Sequence, residues 1–327
     1  MKYAPILVTV YTRLDHLRKC IDSLKSCPES KESILYVASD DAATQEDEQA
    51  VNEVRRYLRG LDGFKEVVLI LREENLGGYN NSQDAKRTVF SKHDRMIRLE
   101  DDVIVGKGFL YFINQGLDVY EGTSNIVGVC GYLPPGIYNE ESNPFFLDRR
   151  APYGFGVWRD KETIFSENWN SLTLRSYFSS FKFFRKYEHK SPHVARALPL
   201  IFNGELTFGD IIIGIIMQAN NLLALYPPKS ITKSMGNDGS GLHSGFDSVL
   251  QNQIISDECF SVPTNLTINV NSKIENIISR YRRFFGLKIL NYMIYFSNIC
   301  FPKTYPLYKF FRKNVKQVLR LLASNDV

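Results

Sequence analysis

A chain of 327 residues, 44% hydrophobic and 23% charged, is long enough to bury a full core and too apolar for wholesale disorder, which excludes a small stapled module and an unfolded linker. The net charge of +4 hides an asymmetry: residues 280–327 carry ten Lys/Arg against one acid, leaving 30 basic and 35 acidic residues elsewhere, a net −5. An acidic body argues against a nucleic-acid binder, whose working face is basic.

In chain order, the β-branched run 6–11 predicts a strand, and 15–27 predicts a helix with Leu17, Cys20, Ile21 and Leu24 on one face. The unit repeats with a strand over 34–38 and a helix over 46–61. A third strand follows over 67–71. The turn Asn75-Leu76-Gly77-Gly78 then opens a helix over 79–91, before a fourth strand at 95–99. Such alternation predicts a parallel sheet covered on both faces, with ligands outside the carboxyl ends of the strands. The segments to watch are therefore 12–13, 40–41, 72–78 and 100–102, three of which carry carboxylates.

From 126 the pattern is less regular. A strand over 126–130 precedes a Pro/Gly turn at 133–136 and the aromatic segment Tyr153-Gly154-Phe155-Gly156-Val157-Trp158, which has the composition of a substrate-facing loop. A helix over 172–186 follows, and 203–210 opens a very apolar helix reaching about 221. A last strand over 222–226 stops at Pro227-Pro228. Cys20, Cys27, Cys130, Cys259 and Cys300 are odd in number and lack metal-ligand spacing, and the first residues lead straight into a strand rather than a leader. Both observations predict a cytoplasmic, reducing setting.

Glu100-Asp101-Asp102 sits at the tip of the fourth strand, where three consecutive acids repel one another and gain nothing from burial alone. A positive partner is expected, and Mg²⁺ or Mn²⁺ suits an all-oxygen site completed by water and phosphate. Alternate residues of a strand tip face opposite ways. Asp102 is therefore assigned to the metal, and Glu100 and Asp101 to a ribose and to metal-bound water. A solvated acidic turn is the bland alternative.

With this cluster the sequence resembles the GT-A superfamily of glycosyltransferases, whose Asp-X-Asp signature ends a fourth strand. Glu100-Asp101-Asp102 looks like the Glu-Asp-Asp version of N-acetylglucosaminyltransferase I and its bacterial relatives. Residues 5–13 and the turn Asn75-Leu76-Gly77 resemble the inverting family 2. Thr207-Phe208-Gly209-Asp210, with 234–243 downstream, looks like the acceptor half of bacterial polysaccharide glycosyltransferases, many of which carry a tryptophan where Phe208 or Gly209 stands here.

The resemblance, over roughly 4–245, implies a Rossmann-like α/β fold: a mixed, mostly parallel sheet flanked by helices. It divides the chain into a nucleotide-binding half (1–105), an acceptor half (106–250) and a C-terminal helical extension (251–327). It also implies metal-dependent transfer from a nucleotide sugar, UDP-N-acetylhexosamine being the first choice, to a glycan or polyprenyl-linked acceptor of bacterial surface polysaccharide, with inversion. Asp40 or Asp41 maps onto the acid that bonds uracil. Thr9, Tyr11, Arg13, Asn75, Gly77, Gly78 and Asp84 join Glu100 and Asp101 around the donor.

Inversion needs one carboxylate as general base on the face opposite the leaving group. Asp210 is the candidate, standing at the apparent N-cap of a helix over 211–218, where an acid is favourable in any case. Glu205 is the alternative. His243, in a glycine-rich loop, is a further metal ligand or phosphate contact, or merely exposed. Residues 237–241 offer backbone N–H groups to a diphosphate. Trp158 either stacks on a sugar or packs in the core.

Between Arg280 and Arg320 lie ten Lys/Arg, eleven Phe/Tyr and no acid. The uncharged run 289–301 is too short to span a bilayer, which needs about 20 residues. Peripheral attachment to the inner membrane face is expected, against packing on the body or in a homodimer. Two other readings compete: a metal-dependent phosphoesterase or nucleotidyltransferase using the same acids, of which a sugar nucleotidylyltransferase should carry a glycine-rich loop where Val10-Tyr11-Thr12-Arg13-Leu14 stands, and a catalytically silent member of the same fold that binds a nucleotide sugar or tethers partners at the membrane.

Overall fold

The computed structural model describes residues 1–191, 194–206, 209–239, 247–281 and 285–300. Thr207, Phe208, His243 and the residues after 300 lie outside these. The described chain forms two compact units, discontinuous in sequence: Met1–Ile164 with Asn221–Ile274, and Phe165–Asn220 with the residues from Glu275 onward.

The first unit opens with β1 (Ile6–Val10), α1 (Leu14–Lys25), β2 (Ile34–Ser39), α2 (Glu48–Arg59), β3 (Glu66–Leu71), α3 (Gly77–Lys92) and β4 (Arg95–Glu100). Leu17, Cys20, Ile21 and Leu24 of α1 are fully buried, as their spacing requires. β1 pairs in parallel with β2 on one side and β4 on the other, and β2 pairs in parallel with β3. The chain then adds β5 (Val103–Val105), α4 (Phe109–Val119), β6 (Ile126–Cys130), β7 (Phe145–Leu147), β8 (Phe155–Trp158) and α5 (Arg159–Asn168).

It enters the second unit at Phe165, within α5, and continues there with α6 (Ser171–Phe178), α7 (Phe181–Lys190), α8 (Val194–Asn203) and α9 (Gly209–Ala219), then returns as β9 (Leu223–Tyr226), β10 (Thr232–Ser234) and α10 (Ser248–Gln251). α11 (Ser272–Tyr281) crosses the boundary, and α12 (Phe285–Cys300) belongs to the helical unit. The main sheet runs β3-β2-β1-β4-β8-β6-β9-β7, mixed and mostly parallel, while β5 and β10 form a separate antiparallel pair. This is the α/β architecture that the alternating pattern predicts.

Two local differences have clear causes. The helix expected over 172–186 is two helices, because Ser180 is extended and its Oγ accepts a hydrogen bond from the Phe183 N–H at 3.2 Å, capping α7. The aromatic segment 153–158 is no open loop. Its last four residues are β8, antiparallel to β4 and β6, and a Cβ on Gly156 would come within 2.5 Å of Ile113 on α4, so glycine lets that helix lie close.

Trp158 pairs with Arg95 at the start of β4, the opposite end from Glu100. It is 2% exposed, and its Nε1 donates to the Leu117 carbonyl at 3.2 Å. Its place is in the core, which corrects the sugar-stacking alternative. A buried ion cluster braces the same region, with Glu162 held by Arg150 and, at 3.1 Å, by Lys86. Burial alone would push the Glu162 carboxyl up; the two cations outweigh it and set it at about 2.

Candidate functional site

The chain builds β1, β2 and β3 outward on one side and then places β4 on the other side of β1. The strand order therefore reverses between β1 and β4, and it is at the carboxyl edge beside such a reversal that α/β sheets bind their ligands. Arg13, Asp101 and Asp102 meet at that point. The Asp101 N–H donates to the Thr9 carbonyl at 3.1 Å, carrying the β1–β4 ladder one residue past the strand.

Arg13 grips Asp101 with two nitrogens, Nη2 on Oδ1 and Nε on Oδ2 at 3.2 Å, and its Nη1 lies 3.3 Å from Asp102 Oδ2. It is a cation shared by Asp101 and Asp102, while Glu100 lies 4.0 Å from Arg98. Side-chain exposure is 5% for Asp101, 9% for Asp102 and 25% for Arg13, so the pair is largely desolvated. Burial lifts the Asp101 carboxyl above its ordinary range; Arg13 opposes the rise and Asp102 adds to it. The Cys20 thiol, beneath the Glu100 carbonyl, is pushed up by burial and further by both aspartates, which keeps it protonated. Glu100 is the last residue of β4 and stays half-exposed.

One oxygen of the cluster stands apart: Asp102 Oδ1 is buried and accepts no hydrogen bond from the described residues. Such an oxygen is costly unless a cation satisfies it, so the site fits a hard divalent ion. Among the described residues no group of three or more His, Cys, Asp and Glu forms a cage, so the ion would draw its other ligands from water and phosphate. His243, the second expected ligand, lies outside the described residues.

The β5–β10 pair brings a distant loop onto this carboxylate. The Met235 N–H donates to the Asp102 carbonyl at 2.7 Å, and a Cβ on Gly236 would fall 2.1 Å from Asp102 Oδ2. Any larger residue here would force the carboxylate or the loop to shift. Gln251 of α10 donates to the Met235 carbonyl at 2.7 Å, and His16 of α1 lies 3.0 Å from Asp238, so the loop is fastened on two sides.

Beside the cluster, the loops after β2 and β3 are tied into one wall. Asp40, 3% exposed, accepts from the Asp41 N–H at 3.1 Å and the Leu76 N–H at 2.9 Å. Arg55 lies 3.2 Å from Asp41 and donates to the Arg72 carbonyl at 2.6 Å. Tyr11 donates to Asp47 and accepts from the Ala43 N–H, both at 2.8 Å. Asn75 donates to the Asp41 carbonyl at 2.6 Å, and the Gly77 N–H donates back to Asn75 Oδ1 at 3.2 Å.

Gly77 has φ +74°, a conformation that favours glycine, and the space over Gly77 and Gly78 is open. The first turn of α3 carries no acid, so its N-terminus can face an anion. Asp84 is pulled below the ordinary carboxylate range by Arg87 and by Arg72, which sits at 2.7 Å. It thus braces the loop after β3.

The first unit therefore gathers Thr9, Tyr11, Arg13, Asp40, Asp41, Asn75, Gly77, Gly78 and Glu100–Asp102 along one sheet edge. Asp210 and Glu205 belong to the second unit, and both are exposed. Asp210 is the second residue of α9, inside its first turn, which corrects its expected place at the cap. Glu205 accepts from Asn203 Nδ2 at 2.8 Å. Arg55, Asp47 and His16 carry no motif and escape sequence reading; their only signal is a charge on a helix or turn beside the watched loops.

No protein-family model and no curated protein matches the chain. Among solved structures it is similar to residues 1–349 of S. aureus TarS (TM-score 0.36, 13% identity, covering 75% of this chain and 76% of that one). The same TarS segment in complex with UDP gives a TM-score of 0.36 at 16% identity, covering 51% of this chain and 49% of that one. GalNAc-T7 with UDP, GalNAc and Mn²⁺ gives 0.39 at 10% identity, covering 69% and 41%. Against the longer TarS chain, this protein covers 30% of its length.

Proposed function

We propose that this chain is a metal-dependent glycosyltransferase that takes a sugar from a nucleotide donor, a UDP-sugar and first of all UDP-N-acetylhexosamine, to a glycan or lipid-linked glycan. The observation that carries this reading is Asp102 at the strand-order reversal. It has one carboxylate oxygen near Arg13, the other buried without a partner among the described residues, and a glycine backed against it.

The tied loops after β2 and β3 form a wall for the nucleoside, with Asp41, 30% exposed at its side chain, better placed to meet solvent than Asp40. Arg13 neutralises Asp101 and orients Asp102 for a single task. A Mg²⁺ or Mn²⁺ ion held through Asp102 would supply Lewis-acid stabilisation of the departing diphosphate. The open N-terminus of α3 adds partial positive charge beside the same loops. Asp210, with Glu205 as alternative, removes the acceptor proton as general base. The protein works at the cytoplasmic face of the membrane, in surface-polysaccharide assembly.

The test is release of nucleoside diphosphate from a panel of UDP- and dTDP-sugars with Mn²⁺. Wild type should turn over one donor, and Asp102→Asn should lower kcat/KM by about a thousandfold, a few kcal/mol of barrier. Asp210→Asn should lower kcat while leaving donor KM unchanged. If no donor is consumed with any acceptor fraction or by hydrolysis, the transferase reading fails.

A further inference from the structure

The helical unit carries a surface that donor chemistry does not use. α7 and α12 pack through an aromatic seam in which Phe184 and Tyr295 stack with ring centroids 4.0 Å apart, and Phe181 lies over Phe296 at 5.6 Å. At the edge of that seam and beyond it the same helices expose large apolar side chains: Phe181 at 41%, Phe296 at 48%, Met293 at 65% and Ile299 at 40%. Met293, Phe296 and Ile299 follow at three-residue steps, so they occupy successive turns on one side of α12. A contiguous apolar row of this kind marks an interaction surface.

The charges beside it are of one sign. Lys182, Arg185 and Lys186, all exposed, stand one, four and five positions after Phe181 on α7. The one acid in either helix is Glu188, which is buried and turned toward α12, where its Oε1 accepts from Asn291 Nδ2 at 3.0 Å. Neither helix therefore offers a carboxylate to oppose its exposed cations.

A protein partner would cover the apolar row, but lysines are depleted at the centres of such interfaces. An anionic bilayer uses both features at once, apolar groups at acyl depth and cations at the headgroups. Among the described residues no helix is long and apolar enough to cross a membrane, so the contact lies in the plane of the surface.

We infer that α7 and α12 together form a face that lies on an anionic lipid surface. Membrane attachment read from the sequence alone involves only residues after 280; α7 is a second contributor from far upstream. The inference deepens the peripheral-membrane part of the reading above and does not depend on the transferase chemistry.

The experiment is co-sedimentation of the full chain with vesicles of phosphatidylcholine alone or mixed with phosphatidylglycerol. Two variants keep the C-terminal segment intact: Lys182→Glu/Arg185→Glu/Lys186→Glu, and Phe181→Ser/Met293→Ser/Phe296→Ser. Wild type should sediment only with the anionic vesicles, and each variant should partition at least about tenfold less. The charge-reversed variant should keep the wild-type thermal midpoint, since its three sites are exposed.

Wild-type partitioning by the charge-reversed variant overturns the inference, as does equal binding of wild type to neutral vesicles. A third contrary result is a dimer, seen by light scattering, that the serine variant dissociates without loss of vesicle binding. It would give the face to a second copy of the chain.

Discussion

Asp102 and Gly236 act as one device. A methyl group at Gly236 would sit 2.1 Å from Asp102 Oδ2, closer than real Cβ contacts approach, so either the carboxylate or the loop must move. Gly236→Ala should therefore abolish metal-dependent nucleotide binding while lowering stability by only about 1 kcal/mol, the common size of a point substitution. Calorimetric titration beside a denaturant melt separates the two effects, and unchanged binding would refute the contact.

Arg13→Ala removes the cation from Asp101, whose side chain is 5% exposed. Breaking a fully buried pair costs roughly 3–5 kcal/mol; with Arg13 itself 25% exposed, about 2 kcal/mol is expected from urea unfolding at neutral pH. A variant as stable as wild type would show the pair to be solvent-screened. The acids and Arg13 are legible in the sequence because they follow predicted strands. Gly236 is not, because what makes it special is a contact with a carboxylate far away in the chain.

At the scale of elements, period and punctuation carry the first half. β1 to β4 and α1 to α3 are long enough to show apolar runs and helical spacing, and their ends shift by only a residue or two. β5 and β10 are three residues each, too short for a pattern, and their pairing is non-local, so the element that delivers Gly236 to the site is invisible before folding. The break between α6 and α7 shows why an aromatic, helix-spaced run misleads: Ser180 offers the backbone a cap that competes with continuing the helix.

The buried cluster linking α3, α5 and the Arg150 segment has a measurable pH signature. The Glu162 carboxyl, at about 2 when folded, lies below its ordinary 4.5. Its contribution is therefore fully present above about pH 4.5 and is lost as pH falls through about 2. By linkage it amounts to about 3 kcal/mol. The stability gap between wild type and Glu162→Gln, followed by urea midpoints, should shrink across that window. A gap independent of pH would mean that the variant loses packing rather than charge.

For the whole molecule, the family resemblance implies a nucleotide half, an acceptor half and an extension in succession. The folded chain leaves the sheet unit at Phe165 and returns to it at Asn221. Such discontinuity leaves no mark on composition or hydropathy. It also divides the proposed chemistry, with the donor site in one unit and the candidate bases in the other. Asp210→Asn should therefore spare nucleotide binding, which the other unit governs, and lower turnover. A loss of UDP affinity in that variant would contradict the division.

The most direct test of the central claim is thermal unfolding of wild type and Asp102→Ala with a panel of nucleoside diphosphates, each with and without Mn²⁺. A ligand that binds only the folded state raises the midpoint. UDP should raise it for wild type only when the metal is present, and Asp102→Ala should lose that shift. If no nucleotide moves wild type at saturating concentration, or if Asp102→Ala keeps the full metal-dependent shift, the donor site is not where the buried, unpartnered oxygen of Asp102 places it.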